Sequence, residues 1–470
     1  MSALPEVDVA IVGGGITGLA AAWYLRSARP DLAVSVLESE ERVGGKIGSA
    51  NLLGVQIDTG PDAFLARVDG GVDLAEELGL GDSLVAPGTG QAYVWSRGAL
   101  RALPAGLVLG VPSLPDSLAA AGILSPEGLT AALRDETTDV HLRAYEDADA
   151  DISVADGIGG HLGREVVERL VDPLLGGITA ADCDRLSLRS ASPELFEAAR
   201  AGRLMPFLRE HNAAVQRGQI GVSEQRPVFL TPSGGLHQLV DRLAEELGTI
   251  VRTQTIVERL CRTDSGWAIA TSGGLLAARC VILALPAGGA ARLAGPIVPA
   301  LAAELAEVRT SSVALTLLAY PTVAVTLPPG SGFLVPRPEG RLITAASWWS
   351  QKWPHLKVPG HVIIRASAGR DGDTRFVDLT DQELVAALHH DLSDMVGLDA
   401  GPVASHVSRW MNGFPQYDVG HHARVQRCEK LADAAGFELV GASYRGVGLP
   451  ACVRDARRGV ARLLAREFSA

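Results

Sequence analysis

Cysteine is scarce in this chain of 470 residues, and the positions of the few present exclude two common kinds of site. The five cysteines are Cys183, Cys261, Cys280, Cys428 and Cys452, and no two of them form a Cys-x-x-Cys pair. Structural zinc sites and disulfide frameworks need closely spaced or paired cysteines. The sequence therefore predicts no metal site and no disulfide framework, and it favours a reducing, cytoplasmic location.

Positive charge is also in short supply. The chain carries 42 lysines and arginines against 54 aspartates and glutamates, which gives a formal net charge of −12. Because such a chain repels phosphate backbones, we expect no nucleic acid partner. Only four of the cationic residues are lysines, so the positive charge is carried mainly by arginine, whose planar fork suits carboxylates.

The sequence lacks a long uninterrupted apolar run. Its most apolar long stretch, residues 104–124, contains Pro112, Pro115 and Asp116, whereas a membrane-spanning helix needs about 20 consecutive apolar residues. The N-terminus also lacks the basic segment and apolar run of a signal peptide. We therefore expect neither an integral membrane span nor secretion.

What the sequence does have is a glycine-rich turn between a strand and a helix. Residues 7–12 are an apolar, β-branched run typical of a buried strand, and residues 19–26 favour a helix. Between them stands Gly13-Gly14-Gly15-Ile16-Thr17-Gly18. In the pattern Gly-x-Gly-x-x-Gly, the first glycine permits a tight turn, the second lets the backbone approach a pyrophosphate, and the third allows close helix packing.

A carboxylate follows at the distance that a dinucleotide site requires. Residues 33–37 predict a second buried strand, which the right-handed crossover of a βαβ unit places parallel to the first. Glu38 ends this strand 20 residues after Gly18, where a carboxylate can hydrogen-bond an adenosine ribose. The N-terminal segment therefore predicts a dinucleotide-binding unit.

The remainder of the chain mixes helical and strand-like segments. Helical periodicity covers residues 156–174 and 381–395, and strand-like segments include residues 250–256 and 313–320. A glycine turn at residues 441–448 leads into a final helix, which repeats the strand, turn and helix of the N-terminus. We predict an α/β protein in which a discontinuous, doubly wound domain accompanies an α+β domain.

Several segments together resemble one enzyme family. The first three are GGGITGLAAA at residues 13–22, Glu38, and Arg42-Val43-Gly44-Gly45-Lys46. Together they are similar to the flavin-dependent amine oxidase and protoporphyrinogen oxidase superfamily. Gly60-Pro61-Asp62-Ala63-Phe64-Leu65 and Gly446-Val447-Gly448-Leu449-Pro450 narrow the likeness to protoporphyrinogen and coproporphyrinogen III oxidases, most closely their soluble Gram-positive branch. The resemblance covers essentially the whole chain.

The resemblance implies an FAD-binding Rossmann-like domain made of residues 1–86, 225–300 and 416–470, and a substrate-binding domain made of residues 87–224 and 301–415. It implies FAD as the cofactor and no metal. The residues that it places at the FAD are Gly13, Gly14, Gly15, Ile16, Thr17, Gly18, Glu38, Ser39, Arg42, Gly45, Lys46, Gly60, Pro61, Asp62, Ala63, Val257, Trp410, Gly446, Val447, Gly448 and Leu449.

On the substrate side, the resemblance implicates Phe64, Arg67, Ile178 and Thr179. Two of these positions depart from the family pattern. Thr179 stands where the Gram-positive branch usually has an aromatic residue, so a less aromatic cavity wall is expected there. Arg67 is followed by Val68 where the family often has a charged cluster, so any pairing with a substrate propionate at that spot depends on Arg67 alone.

The implied activity is the six-electron oxidation of coproporphyrinogen III to coproporphyrin III in heme biosynthesis, with dioxygen as acceptor and hydrogen peroxide as product. Protoporphyrinogen IX is a second implied substrate, and a porphyrin-using ferrochelatase is an implied transient partner. We assign no catalytic acid or base, because the flavin performs the main chemistry. Two alternatives stay open: a flavin amine oxidase, for which Lys352 would hold a water near the flavin, and a non-catalytic flavin-binding porphyrin carrier.

Overall fold

The computed structural model describes residues 6–141, 151–217 and 226–468. The N-terminal residues 1–5, which belong to the segment considered above for a signal peptide, lie outside the described residues. Within the described ranges, no helix is both long enough and apolar enough to cross a membrane.

The described residues form nineteen strands and seventeen α-helices. The strands are β1 (Glu6–Val12), β2 (Val34–Leu37), β3 (Ser49–Leu52), β4 (Val55–Asp58), β5 (Phe64–Leu65), β6 (Leu84–Val85), β7 (Tyr93–Ser96), β8 (Ala99–Ala102), β9 (Phe229–Pro232), β10 (Val251–Arg252), β11 (Val257–Thr263), β12 (Gly266–Thr271), β13 (Gly274–Leu283), β14 (Thr310–Pro321), β15 (Gly332–Leu334), β16 (Ile343–Ser347), β17 (His361–Ala368), β18 (Ala404–Pro415) and β19 (Phe437–Leu439). The helices are α1 (Ile16–Ala28), α2 (Gly71–Glu77), α3 (Pro115–Ala121), α4 (Pro126–Leu133), α5 (Val154–Leu162), α6 (Arg164–Val166), α7 (Gly177–Thr179), α8 (Leu188–Ala191), α9 (Pro193–Arg200), α10 (Leu204–Gln216), α11 (His237–Leu247), α12 (Ala287–Ala294), α13 (Pro299–Ala306), α14 (Trp349–Lys352), α15 (Asp381–Val396), α16 (His421–Ala435) and α17 (Leu449–Glu467).

The first of two large sheets is doubly wound. Its strand order is β10-β2-β1-β13-β12-β11, with β19 also paired to β13, and β1 runs parallel to both β2 and β13. Side chains of β1 alternate between its two faces. Val9 and Ile11 pack with α1, α11 and α17, whereas Ala10 and Val12 pack with α12, α13 and α16. Helices therefore cover both faces, as the predicted doubly wound fold requires.

The second sheet is mainly antiparallel, in the order β18-β14-β17-β16-β15-β7-β8, with only β15 and β7 parallel among these strands. Along β14, Ala314 and Leu318 face a core shared with α15. Leu317 and Ala319, which point to the opposite face, pack in a cluster that includes Trp353 and residues of β3 and β4. This opposite face of the sheet is therefore turned toward segments next to the first sheet. A third core lies among helices α3–α10.

The predicted α/β class, with a doubly wound domain and a second α+β domain, is confirmed, but two local predictions were wrong. The helix predicted at 156–174 breaks at Gly163, whose φ of +84° is left-handed, and residues 167–176 form a π-helix that contains Pro173. The strand predicted at 250–256 shrinks to the two residues of β10, because Gln254 adopts a left-handed φ of +51°. The domain boundaries given above stay a prediction.

Candidate functional site

The glycine-rich turn lies at the carboxyl end of β1 and leads directly into α1. Gly13 needs its positive φ of +107°, and a Cβ at Gly18 would collide with the Gly13 carbonyl. Gly15 differs, since a Cβ there would meet no atom within 4 Å. The N-terminus of α1 has neither a side-chain cap nor an acidic residue in its first turn. Its N–H groups therefore face open space that suits an anion.

Glu38 closes one side of this turn. Its Oε2 accepts a hydrogen bond of 2.6 Å from the Gly14 N–H, and its Oε1 accepts bonds of 2.9 Å from the Glu40 N–H and 3.1 Å from the Ser39 hydroxyl. The Glu38 carbonyl accepts a bond of 2.7 Å from the N–H of Thr255, so the segment before β11 lies beside it. Val257, the first residue of β11, is thereby placed near the same sheet edge and is 5% exposed.

The segment Arg42 to Lys46 packs on the glycine turn through its backbone. The Gly44 N–H donates to the Gly14 carbonyl at 2.8 Å, and a Cβ at Gly45 would lie 3.5 Å from the Gly15 Cα. The Arg42 guanidinium shapes this loop by donating to the backbone carbonyls of Val43, Gly45 and Ile47. Its observed partners are thus within its own loop.

Lys46 carries a half-buried cation at the end of this loop. Among the described residues, no group accepts a hydrogen bond from its Nζ or forms an ion pair with it, and the Nζ lies 5.9 Å from the centre of the Phe414 ring. Burial lowers the pKa of Lys46. A desolvated ammonium with no carboxylate beside it is costly unless an anion binds there.

Asp62 fixes the next segment through three donors, of which Trp353 and Arg365 are buried and Lys352 is half-buried. Its carboxylate accepts bonds from Lys352 Nζ at 2.9 and 3.1 Å and from Trp353 Nε1 at 3.0 Å, and it pairs with Arg365 Nη1 at 2.6 Å. Burial would raise the pKa of Asp62, but Arg365 and Lys352 hold it well below its usual range. Arg365 also donates to the Gly60 carbonyl. The Asp62 side chain therefore clamps residues 60–62 onto β17 and α14, while Pro61 is exposed and Ala63 half-buried.

Gly60, Lys46 and Trp410 meet at one place. A Cβ at Gly60 would collide with the Lys46 carbonyl and would lie 3.6 Å from Cζ2 of the Trp410 ring. Trp410 lies edge-on to Phe414, with ring centres 6.2 Å apart. The half-buried Trp410 thus belongs to the same cluster as the unpaired Lys46 ammonium.

The tail segment Gly446 to Leu449 is held by Tyr417. The Gly446 N–H donates to the Tyr417 hydroxyl at 2.7 Å, and that hydroxyl donates to the Ala442 carbonyl. The Tyr417 ring stacks on His421 with centres 3.9 Å apart. Gly448 precedes α17 without a side-chain cap, so a second helix begins at this segment with free N–H groups. Val447 is half-buried, and Leu449 is 8% exposed in the core of the first sheet.

The four residues implicated on the substrate side have different surroundings. Ile178 is 51% exposed and offers apolar surface. The Thr179 hydroxyl donates to the Leu175 carbonyl at 3.0 Å, and the exposed Arg67 donates through Nε to the Arg226 carbonyl at 3.1 Å. Phe64 is 2% exposed with its ring against Gly71, so its side chain presents almost no surface to a substrate.

The described residues contain no group of three or more His, Cys, Asp or Glu side chains placed to hold a metal ion. All five cysteines are free thiols. Burial lowers the pKa of His421 to about 4, which keeps the ring that stacks on Tyr417 neutral at physiological pH.

Sequence reasoning missed two arginines of the second sheet. Arg365 lies within β17 and Arg370 follows this strand, and they are 7% and 8% exposed. Neither residue belongs to a recognisable motif. The only available signal was an arginine inside an otherwise apolar strand, at position 365 of His361–Ala368.

Three observations fit the FAD that the resemblance implies. The space at Gly15 is open, the N-terminus of α1 has no side-chain cap, and no residue that the structure describes supplies Lys46 with an anion. A pyrophosphate would satisfy the helix N–H groups, and a negatively charged or hydrogen-bond-accepting part of the cofactor would satisfy the ammonium. The contacts of the cofactor with residues 13–18, Glu38, residues 42–46, residues 60–63, Trp410 and residues 446–449 stay a prediction.

Comparison with known proteins agrees with this geometry. The chain matches the family model of the flavin containing amine oxidoreductases over residues 16–464. It is 34% identical to the coproporphyrinogen III oxidase of Bacillus subtilis (strain 168), over 98% of each chain. It is 31% identical to the coproporphyrinogen III oxidase of Staphylococcus aureus (strain NCTC 8325 / PS 47), over 96% of this chain and 97% of the relative.

Comparison with a solved structure shows that the fold is also shared. A crystal structure of a candidate protoporphyrinogen oxidase from Exiguobacterium sp. 255-15 superposes with a TM-score of 0.86 at 33% identity, covering 98% of this chain and 99% of that chain. The resemblance and the FAD cofactor predicted from the sequence are confirmed.

Gly15→Ala should fold normally but lose FAD. The new methyl group meets no protein atom within 4 Å and φ of −70° suits alanine, yet it would occupy the space through which the backbone approaches the pyrophosphate. We expect the Kd for FAD to rise about tenfold or more, equivalent to about 1.4 kcal/mol. Flavin absorbance per protein and the thermal midpoint without flavin measure the two effects.

The control for this substitution is Gly288→Ala on α12, where a Cβ also meets nothing within 4 Å. This variant should keep both its flavin and its thermal midpoint. Full flavin retention by Gly15→Ala would show that the cofactor does not use the space at Gly15.

Asp62→Asn should destabilise the fold, because it leaves the buried Arg365 and the half-buried Lys352 without their carboxylate. Removing one partner of a buried ion pair costs about 3–5 kcal/mol. The pKa of Asp62 is lowered in the folded state, so its stabilisation is complete above the unfolded pKa of about 4 and is lost as the pH falls through the folded value. The variant should therefore lose stability at pH 7 and show a shallower decline below pH 4, measured by urea denaturation.

Asp31→Asn serves as the control for Asp62→Asn, since Asp31 pairs with Arg29 at the exposed surface. We expect almost no change there. Equal effects of the two substitutions would contradict the role assigned to the Asp62 cluster.

Proposed function

The chain belongs to the flavin containing amine oxidoreductase family, and from that premise we propose that it oxidises coproporphyrinogen III to coproporphyrin III in heme biosynthesis. Six electrons and six protons leave the porphyrinogen. Three molecules of dioxygen accept them in pairs and become three molecules of hydrogen peroxide. When bound, FAD would supply the redox chemistry, namely two-electron oxidation of the substrate and reduction of dioxygen.

One observation supports this proposal above the others. Relatives named coproporphyrinogen III oxidase match 98% and 96% of the chain, so the match includes both the glycine-rich turn and the second sheet. A fold shared only in the nucleotide-binding unit would not explain the matching substrate-side sheet.

The protein's own residues bind the cofactor and fix the backbone segments around it. The N–H groups of α1 and the Lys46 ammonium hold the negative charge of the cofactor, and Glu38 is the candidate partner for its ribose. The Asp62 carboxylate, through Arg365, fixes residues 60–62, and the Tyr417 hydroxyl fixes Gly446 at the start of residues 446–448. We assign no acid or base, since hydride removal needs position and exclusion of water rather than a titrating side chain.

The amine oxidase alternative depends on Lys352, and the contacts of this residue argue against it. Lys352 would have to hold a water for that chemistry, but its Nζ donates two hydrogen bonds to Asp62 and lies over the Trp353 ring. The porphyrin-carrier alternative predicts bound flavin without turnover, which the experiment below separates.

The proposal also covers a second substrate, the location in the cell, a partner and the division into domains. We propose protoporphyrinogen IX as a second substrate, a cytoplasmic location and transient contact with a ferrochelatase. We also propose an FAD-binding domain made of residues 1–86, 225–300 and 416–470, with the rest binding substrate. Arg67, Ile178 and Thr179 are the substrate contacts proposed from the resemblance.

The purified protein, mixed in air with coproporphyrinogen III, should develop porphyrin fluorescence and release three molecules of hydrogen peroxide for each porphyrin. Acid precipitation should leave the FAD in the supernatant, because the site holds it without a covalent bond. A yellow protein that produces no porphyrin would favour the carrier alternative, and turnover of amines alone would favour the amine oxidase.

Substrate preference should depend on salt. Coproporphyrinogen III carries four propionates and protoporphyrinogen IX two, so the first should have the higher kcat/KM at low salt, and its advantage should shrink as salt screens the pairs. Arg67→Ala should lower kcat/KM for coproporphyrinogen III more than for protoporphyrinogen IX. Equal losses would remove Arg67 as the discriminating residue, and a wild-type preference for protoporphyrinogen IX at low salt would contradict the proposed substrate.

A further inference from the structure

A small, largely enclosed cavity lies between the π-helix and the second sheet. Its volume is about 60 Å³, and its walls include Asp172, Gly176, Thr344, Ser367, Arg370 and Phe414. Room for about four water molecules is too little for a tetrapyrrole ring but suits one short side arm. The ring of Phe414 also faces Lys46, so the cavity lies next to the candidate cofactor site.

Arg370 connects this cavity to the outside. It also lines a wider recess of about 340 Å³ together with Arg337, Asp373, Thr374 and Arg375. Although it borders both spaces, Arg370 itself is only 8% exposed. Its guanidinium therefore lies between a charged outer recess and the small inner cavity.

Arg370 differs from the other described arginines around the cavity and the recess, because it forms no ion pair with a carboxylate. Three neighbouring arginines each bond a carboxylate at 3.0 Å or less, namely Arg337 with Asp172, Arg375 with Asp373, and Arg309 with Asp371. Among the described residues, none forms an ion pair with Arg370. The neighbouring Asp172 and Asp373 are already engaged by other arginines.

One edge of the Arg370 guanidinium is free. Its Nη1 donates to the Val335 carbonyl at 3.2 Å. Its Nε is buried and has no partner, and no described residue accepts a bond from its Nη2. The Nε and Nη2 edge is the fork that binds a carboxylate through two parallel hydrogen bonds. Leaving the buried Nε of this edge unpaired is costly, which points to a ligand.

We propose that Arg370 anchors one carboxylate arm of the substrate, with the arm seated in the cavity beside Thr344 and Ser367. The identity of the arm as a porphyrinogen propionate rests on the proposed function, whereas the anion site itself rests on the unpaired guanidinium. The hydroxyls of Thr344 and Ser367 bond each other at 2.9 Å, so they line the arm without competing for its carboxylate.

The test compares Arg370→Gln with Arg370→Lys in the flavin-loaded enzyme. Binding of coproporphyrin III, which has four acid arms, and of its tetramethyl ester, which has none, is followed by fluorescence quenching in one detergent-containing buffer. We expect Arg370→Gln to raise the Kd for the acid about tenfold or more and to leave the Kd for the ester unchanged. Arg370→Lys, which keeps the charge but not the fork, should lie between wild type and Arg370→Gln.

Kinetics and a control complete this test. In turnover of coproporphyrinogen III, Arg370→Gln should raise KM far more than it lowers kcat. The control is Arg427→Gln, which removes the same charge from an exposed pair with Glu304 and should change neither KM nor kcat. Equal weakening of acid and ester, or weakening of neither, would overturn the anchor. If Arg370→Gln yields no folded protein, the same comparison of acid and ester with Arg370→Lys decides.

A third measurement separates this inference from the proposed function. Sodium butyrate, a simple carboxylate, should raise the thermal midpoint of wild type above that in equal sodium chloride, and Arg370→Gln should abolish the difference. A wild-type protein that fails to oxidise coproporphyrinogen III but shows this butyrate effect would contradict the proposed function and keep the anion site. An enzyme that oxidises it but shows neither the butyrate effect nor the acid-specific loss would keep the function and overturn the site.

Discussion

Close contact between backbones, possible only at glycine, is the constraint on which the rest of this structure depends. A Cβ at Gly18 would collide with the Gly13 carbonyl, and a Cβ at Gly60 would collide with the Lys46 carbonyl. These contacts run from the first strand of the doubly wound sheet to the segment clamped by Arg365 of the second sheet. The two sheets are therefore joined at the place where the open space at Gly15 remains.

Positively charged side chains are concentrated around the candidate site. The chain as a whole is acidic, yet cations without a matching anion are found around the site. Within residues 6–141, 151–217 and 226–468, neither Lys46 nor Arg370 pairs with a carboxylate, and Lys352 and Arg365 share the single carboxylate of Asp62. Buried or half-buried cations of this kind are unfavourable in an empty site, so they mark the positions at which anionic parts of cofactor and substrate are expected to bind.

The cofactor-binding unit was predictable from the sequence because its signals are local. The glycine spacing at residues 13–18 and the carboxylate at Glu38 specify a strand, turn and helix within one short segment. Arg365 and Arg370 could not be found in this way, because their partners lie far away in sequence and only the pairing of strands brings them together. Gly163 and Gln254 ended predicted elements through left-handed backbone conformations that hydrophobic periodicity does not reveal.

A crystal structure of the purified protein with bound FAD tests the central claim most directly, that the open glycine turn and the unpaired Lys46 together form the cofactor's anion site. The account predicts pyrophosphate density beside Gly15 at the N-terminus of α1, with the Lys46 Nζ in contact with an oxygen of the cofactor. Pyrophosphate density elsewhere, with Lys46 still facing only the Phe414 ring, would contradict it.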